Sequence, residues 1–188
     1  MVTRISHSPA ETQSIGEAWG REAQSGLVIG LCGELGAGKT QLVKGLAQGL
    51  GITARVQSPT FALVNIYAGG RLRLFHLDLY RLDTPEQVFA AGLQEYLEPE
   101  GVTVIEWAER LGKTRNPKSE IRRAEREGPR AEGGAEVWRP QWRRAQIEPG
   151  APPSGGSTLN YLRGRWRWAE IEAVSETERR IIYEDFGD

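Results

Sequence analysis

The chain has one cysteine, one methionine and two histidines among 188 residues. The lone thiol, Cys32, excludes an internal disulfide, and its place at the end of an apolar run reads as a small buried residue. With His and Cys so scarce, no cluster is spaced to hold a permanent zinc ion. No apolar run approaches membrane-spanning length, and the segment Met1 to Ser8 lacks the apolar core of a secretion signal. These absences point to a soluble, cytoplasmic protein. Two more are informative. There is no internal repeat, and no Asn-Lys-x-Asp pattern to read guanine, which disfavours a GTPase.

Net charge is also scarce, at −1, but the near-balance hides an asymmetry. Residues 1–112 carry 9 basic and 12 acidic side chains, residues 113–170 carry 13 and 7, and residues 171–188 carry 2 and 6. A basic interior stretch therefore lies between two acidic flanks.

What the chain does have is a complete phosphate-binding loop, Gly33-Glu34-Leu35-Gly36-Ala37-Gly38-Lys39-Thr40, directly after the apolar run Leu27-Val28-Ile29-Gly30-Leu31-Cys32. Strand, Gly-rich turn and helix in that order give the pattern a mechanism. Glycines let backbone N–H groups curl around a phosphate, and the helix starting near Lys39 points its positive end at the same anion. Lys39 is expected to reach the outer phosphates and the Thr40 hydroxyl to ligate Mg²⁺. The expected ligand is a nucleoside triphosphate.

Around this loop, helices and strands alternate. Ser8-Pro9-Ala10-Glu11 reads as a helix start with a capping box, and the helix runs to about Ala23. A second helix follows the loop and ends at Gly49 and Gly51. Strands over residues 62–67 and 72–77 form an expected antiparallel hairpin through a tight Ala68-Gly69-Gly70 turn. A helix starts at Asp83-Thr84-Pro85-Glu86 and carries Val88, Phe89, Leu93 and Leu97. Val102 to Ile105 is a buried strand ending at Glu106-Trp107. The fold class is α/β, a P-loop NTPase-like three-layer fold with a mixed, partly antiparallel sheet. Residues 1–112 form its core. Residues 113–170 are an atypical Arg/Trp/Pro/Gly-rich segment with almost no apolar periodicity, expected to be poorly ordered, and residues 171–188 supply a closing strand around Arg179 to Tyr183.

Three residues outside the loop carry the expected chemistry. Glu106 ends an apolar strand, where an acid can organise Mg²⁺. Asp78, in His76-Leu77-Asp78-Leu79-Tyr80-Arg81, sits at a strand end where it could orient the attacking water or tune the metal shell. Thr60 follows the phosphate loop by twenty residues, the position at which switch-type nucleotidases close a threonine on the γ-phosphate. His76 reads as structural. The basic segment, with Arg122, Arg123, Arg126, Arg139, Trp142, Arg143, Arg144, Arg163, Arg165, Trp166, Arg167 and Trp168, has the residue types of an RNA contact. A solvated insertion uses the same residues.

The phosphate loop, Ser58-Pro59-Thr60-Phe61, His76-Leu77-Asp78-Leu79-Tyr80-Arg81-Leu82 and Glu106-Trp107-Ala108 together resemble the bacterial TsaE family, over roughly residues 8–112. The resemblance implies a Mg²⁺-dependent ATPase that works with TsaD and TsaB on adenosine 37 of tRNAs reading ANN codons, touching tRNA indirectly. It assigns phosphate and nucleotide contacts to Glu34, Leu35, Gly36, Ala37, Gly38, Lys39, Thr40 and Gln41, and the metal to Thr40 and Glu106. Lys39, Thr60 and Asp78 serve hydrolysis, Trp107 lies near the site, and Thr12 matches a polar position close to the adenine. The departure comes after Gly112. A lineage-specific insertion, a disordered arm and a shifted reading frame each fit the long stretch before Glu178-Arg179-Arg180-Ile181-Ile182-Tyr183. Two other uses of the loop stay open: a small-molecule kinase, and a nucleotide-gated binding module with negligible turnover.

Overall fold

The computed structural model describes residues 1–97, 99–111 and 165–186. In chain order these form β1 (Val2–Ser6), α1 (Pro9–Glu22), β2 (Leu27–Cys32), α2 (Lys39–Gly49), β3 (Val64–Tyr67), β4 (Leu74–Asp78) and α3 (Pro85–Ala90). A 3-10 turn (Leu93–Leu97), β5 (Val102–Glu106), a second 3-10 turn (Ala108–Leu111), β6 (Arg165–Ala173) and β7 (Arg179–Phe186) follow. All the strands join one sheet in the order β1-β7-β6-β2-β5-β4-β3. Its centre is parallel, β6, β2, β5 and β4 all running the same way. Both flanks are antiparallel, through β3–β4 on one side and β6–β7–β1 on the other. The expected mixed α/β architecture is present.

Alternation along the strands divides the core in two. On one face Ile29, Leu31, Val104, Ala169 and Ile181 meet Trp19 of α1 and Leu42, Val43 and Leu46 of α2. On the other, Val28, Leu77, Ile105 and Trp166 meet Val88, Leu93, Leu97 and Ala108. β5 is covered from both sides and buried along its whole length, so apolar residues fall on both faces, Val102 and Val104 on one and Ile105 on the other. Thr103 donates its hydroxyl to the Tyr96 carbonyl.

Helix α1 starts at the expected cap, where the Ser8 hydroxyl accepts the Glu11 N–H at 3.1 Å. The Glu11 carboxylate reaches one residue further back than a capping box requires, accepting the His7 N–H at 2.8 Å. α2 ends in a Schellman motif, with the Gly51 N–H on the Gln48 carbonyl and the Ile52 N–H on the Ala47 carbonyl, both at 2.9 Å.

Four features differ from the sequence expectation. The strand expected over 62–67 begins at Val64, because Leu63 adopts φ +65° and its N–H closes a turn onto the Pro59 carbonyl. The helix expected to carry Val88 through Leu97 stops at Ala90, Gly92 takes φ +73°, and Leu93–Leu97 is a separate 3-10 turn. β1 gave no signal, since four of its five residues are exposed and, among the described residues, it pairs with β7 at the sheet edge. Finally, β6 begins at Arg165, inside the Arg/Trp/Pro/Gly-rich stretch 113–170 expected to be poorly ordered, and runs on past residue 170 to Ala173.

In β6 the Trp–Arg alternation is a strand pattern rather than a base-stacking arm. Trp166 is buried in the second core. Arg167 lies over the rings of Trp19 and Tyr183 at 4.8 and 4.9 Å and is bound by Asp185 at 2.5 and 2.6 Å. The other residues named for RNA contact, from Arg122 to Arg163, lie outside the described residues, as does the whole of 113–164.

Candidate nucleotide and metal site

The loop between β2 and α2 is shaped by its neighbours as well as by its glycines. Gly33 has φ +135°, and a Cβ there would lie 2.3 Å from the Ile171 carbonyl oxygen of β6. No larger residue fits that approach. Gly38, at φ +110°, is the N-cap of α2 and brings no side chain to cap it, so the helix end is open to an anion. Leu35, 78% exposed, sits on the loop, where it contributes backbone rather than side chain.

Lys39 is drawn inward. Its ammonium donates to the carbonyls of Gly33 and Glu34 at 2.7 and 2.9 Å and lies 3.7 Å from the centroid of the Trp107 ring. Burial pushes its pKa down, while Glu106, Glu109, Cys32 and Asp78 push the other way. Trp107 takes φ +61°, an unfavourable backbone for a bulky residue, and its ring also meets Tyr80 at 5.1 Å. That strain follows directly after the acid at the end of β5.

Two clusters form at the C-terminal ends of the parallel strands. In the first, the Thr40 hydroxyl donates to the Glu106 carboxylate, at 2.8 Å from Oε1 and 3.1 Å from Oε2. His76 Nε2 meets Oε1 at 2.8 Å. Glu106 is only 3% exposed. These hard oxygen donors beside an open helix end fit Mg²⁺. Among the described residues no group of three or more His, Cys, Asp or Glu could hold a metal. A cation here would complete its shell from phosphate and water, as Mg²⁺ does in nucleotide sites.

The second cluster gathers Ser58, Thr60 and Asp78. Asp78 Oδ2 accepts both hydroxyls, at 2.6 and 2.7 Å, and Oδ1 accepts the Tyr80 N–H at 2.9 Å. Asp78 stands opposite Glu106 in the β4–β5 register, so the clusters are neighbours across one strand pair. Ser58 escaped the sequence reading. Its only signal was its place in Ser-Pro-Thr, and its partner lies twenty residues on. The loop is thus latched to β4 by two hydroxyls on one buried carboxylate. Removing either hydroxyl is expected to lower stability by about 1.5–3 kcal/mol, as for hydrogen bonds to charged groups. A denaturant double-mutant cycle on Ser58→Ala and Thr60→Ala should show coupling of about 1 kcal/mol, because both act on the same oxygen.

Thr12 and Gln41, the remaining residues expected at the nucleotide, lie beside the loop. The methyl carbon of Thr12 would be 3.9 Å from a Cβ on Gly38, but its hydroxyl is shared with Ser6 at 2.8 Å. The Gln41 amide oxygen accepts Gln13 Nε2 at 2.8 Å and Lys44 Nζ at 3.4 Å. A cleft of about 840 Å³ opens along this side of α2, lined by Gln13, Thr40, Lys44, Arg55, Gln57 and Ser58 among others. It is large enough for a nucleoside.

An acid pair lies under the loop. Cys32 pairs with Glu170 across β2–β6, and its thiol is pushed well up, first by burial and then by Glu109. Such a thiol is unreactive at neutral pH. Burial also raises Glu170, with Glu172 and Glu109 adding to it. A carboxyl whose folded pKa exceeds the unfolded 4.5 stabilises the protein below that value and loses the contribution as pH rises through the folded pKa. Glu170→Gln should therefore gain melting temperature over the wild type as pH is raised from 4.5 to 7.5 in a series of thermal melts.

Residues 6–131 match the family model for the threonylcarbamoyl adenosine biosynthesis protein TsaE. The chain belongs to the TsaE family. Over 107 residues it is 49% identical to the tRNA threonylcarbamoyladenosine biosynthesis protein TsaE of Treponema pallidum, covering 57% of this chain and 78% of that one. The Bacillus subtilis protein of the same name is 45% identical over 101 residues, covering 54% and 63% of the two chains. Among solved structures, Bacillus subtilis YdiB superposes with a TM-score of 0.63 at 26% identity, covering 99% of this chain and 86% of YdiB. Among the described residues no helix is long and apolar enough to cross a membrane.

Proposed function

We propose that this TsaE-family protein is a Mg²⁺-dependent ATPase of the cytoplasm. In this reading it supports TsaD and TsaB in making N6-threonylcarbamoyladenosine at position 37 of tRNAs reading ANN codons, with tRNA engaged through the complex. The observation that carries the ATPase reading is the Thr40–Glu106 hydrogen bond at 2.8 Å beside the uncapped start of α2. It joins the loop hydroxyl to the strand-end acid as phosphoryl transfer requires.

Backbone N–H groups of residues 34–40 and the positive end of α2 bind the phosphates. Lys39 leaves the Gly33 and Glu34 carbonyls for the outer phosphates, which offset the burial of its charge. Thr40 and Glu106 hold Mg²⁺, which when bound neutralises charge on the transferred phosphoryl group. Asp78, with Ser58 and Thr60 on its carboxylate, orients the attacking water at the switch loop. Gln41 and Thr12 flank the nucleotide, whose sugar and base extend beside α2.

The test is phosphate release from ATP, with and without Mg²⁺, for the protein alone and with TsaD and TsaB. Slow release that requires Mg²⁺ and changes with the partners supports the reading. ATP bound without release in any mixture overturns the hydrolase, and phosphate appearing on a small metabolite would point to a kinase.

A further inference from the structure

Among the described residues, His76 makes no hydrogen bond to the phosphate loop and does not join the Ser58–Thr60–Asp78 cluster, and its surroundings are hard to explain by packing. It is fully buried, with 0% of its surface exposed. Nε2 is bonded to Glu106, and Nδ1 has no partner among the described residues. An imidazole with one nitrogen buried and unsatisfied is less favourable than an apolar side chain of the same volume. Its single bond must therefore matter.

The register explains where that bond points. His76 stands opposite Val104 and Asp78 opposite Glu106, so His76 and Glu106 are diagonal neighbours on the face toward α2. His76 touches Oε1 alone, at 2.8 Å. Thr40 reaches the same oxygen at 2.8 Å and Oε2 only at 3.1 Å. A hydroxyl has one hydrogen to donate. Oε1 is thus held from two sides, while Oε2 has the weaker hold.

The geometry points to His76 as a positioning residue that fixes the Glu106 carboxylate, holding Oε1 so that Oε2 faces the cation shell. This rests on the Mg²⁺-ATPase reading and deepens it. Partners that orient a metal-site group in this way set metal affinity by about 10–100-fold. Glutamine can replace the Nε2 donor, whereas leucine fills the volume without donating.

The experiment measures Mn²⁺ binding to the ADP-loaded full chain by electron paramagnetic resonance, for wild type, His76→Leu and His76→Gln, beside metal-free ADP affinity. His76→Leu should weaken Mn²⁺ by about 10–100-fold, leave metal-free ADP affinity unchanged, and His76→Gln should recover most of the loss. Wild-type affinity in His76→Leu, or equal losses in both variants, overturns the assignment. If His76→Leu fails to fold, the wild-type ¹⁵N signal of His76 Nε2 decides: it should shift when Mg²⁺ joins bound ADP, and an unmoved signal overturns the proposal. A wild type that binds no Mn²⁺ with ADP overturns the ATPase reading itself, and this assignment with it.

Discussion

Glu106→Gln is expected to leave ATP bound and to slow phosphate release by about two to three orders of magnitude, the loss of several kcal/mol of metal-borne stabilisation. The substitution keeps the side-chain volume in a position that is 3% exposed, so the fold should survive. What it removes is the negative charge facing Thr40 across 2.8 Å. Two consequences separate this from general damage. Metal-free ATP binding should hold or tighten, because a carboxylate no longer faces the phosphates. Lys39 should lose one of the charges that raise its pKa, shifting it further down. Calorimetry for ATP without metal and an NMR pH titration of the Lys39 ammonium read the two consequences, beside single-turnover phosphate release for the rate. Hydrolysis at the wild-type rate would remove Glu106 from the metal site.

Gly45→Ala should destabilise the protein by about 3 kcal/mol and lower its melting temperature by roughly 10 °C. Helix propensity alone predicts the opposite, since Ala is favoured over Gly by about 1 kcal/mol in a helix interior. The helices α1 and α2 decide the sign. A Cβ on Gly45 would lie 1.9 Å from the Gln13 carbonyl oxygen, and one on Gly49 would lie 2.1 Å from that of Glu17. From the other side, Gly16 and Gly20 press onto the Leu42 and Leu46 carbonyls, at 2.1 and 2.3 Å by the same measure. Two glycines four residues apart on each helix let the backbones touch, and backbone cannot step aside as a side chain can. Separating the helices would also move Thr12 and Gln13 away from Thr40 and Gln41, so ATP affinity should fall with stability. Gly26→Ala is the control. It has φ +88° with nothing within 4 Å, so only backbone strain of about 1–2 kcal/mol applies, with no effect on ATP.

The phosphate loop, the Ser8 cap and strand β5 were legible because each is set by residues adjacent in sequence. A glycine spacing, a hydroxyl three residues before an acid and a short β-branched run closed by an acid report local geometry directly. Glu106 and Asp78 were legible for a related reason: an acid closing an apolar strand has few ordinary uses. Ser58 and His76 were not, because a serine in a Pro-containing loop and a histidine in a strand have many. Only their partners, Asp78 and Glu106, distinguish them.

By itself the sequence determined a strand–loop–helix with the spacing of a phosphate-binding loop, and it singled out Thr40, Thr60, Asp78 and Glu106 as the hydroxyls and acids beside it. Tertiary structure decided the rest. It placed β6 beside β2, burying Trp166 and packing Trp168 against the same core, although their β2 partners Val28 and Gly30 are more than a hundred residues away. It also set β4 against β5 in the register that brings Asp78, Glu106 and His76 together. Strand order and register are chosen by burial summed over the whole sheet, and no local window of sequence contains that sum.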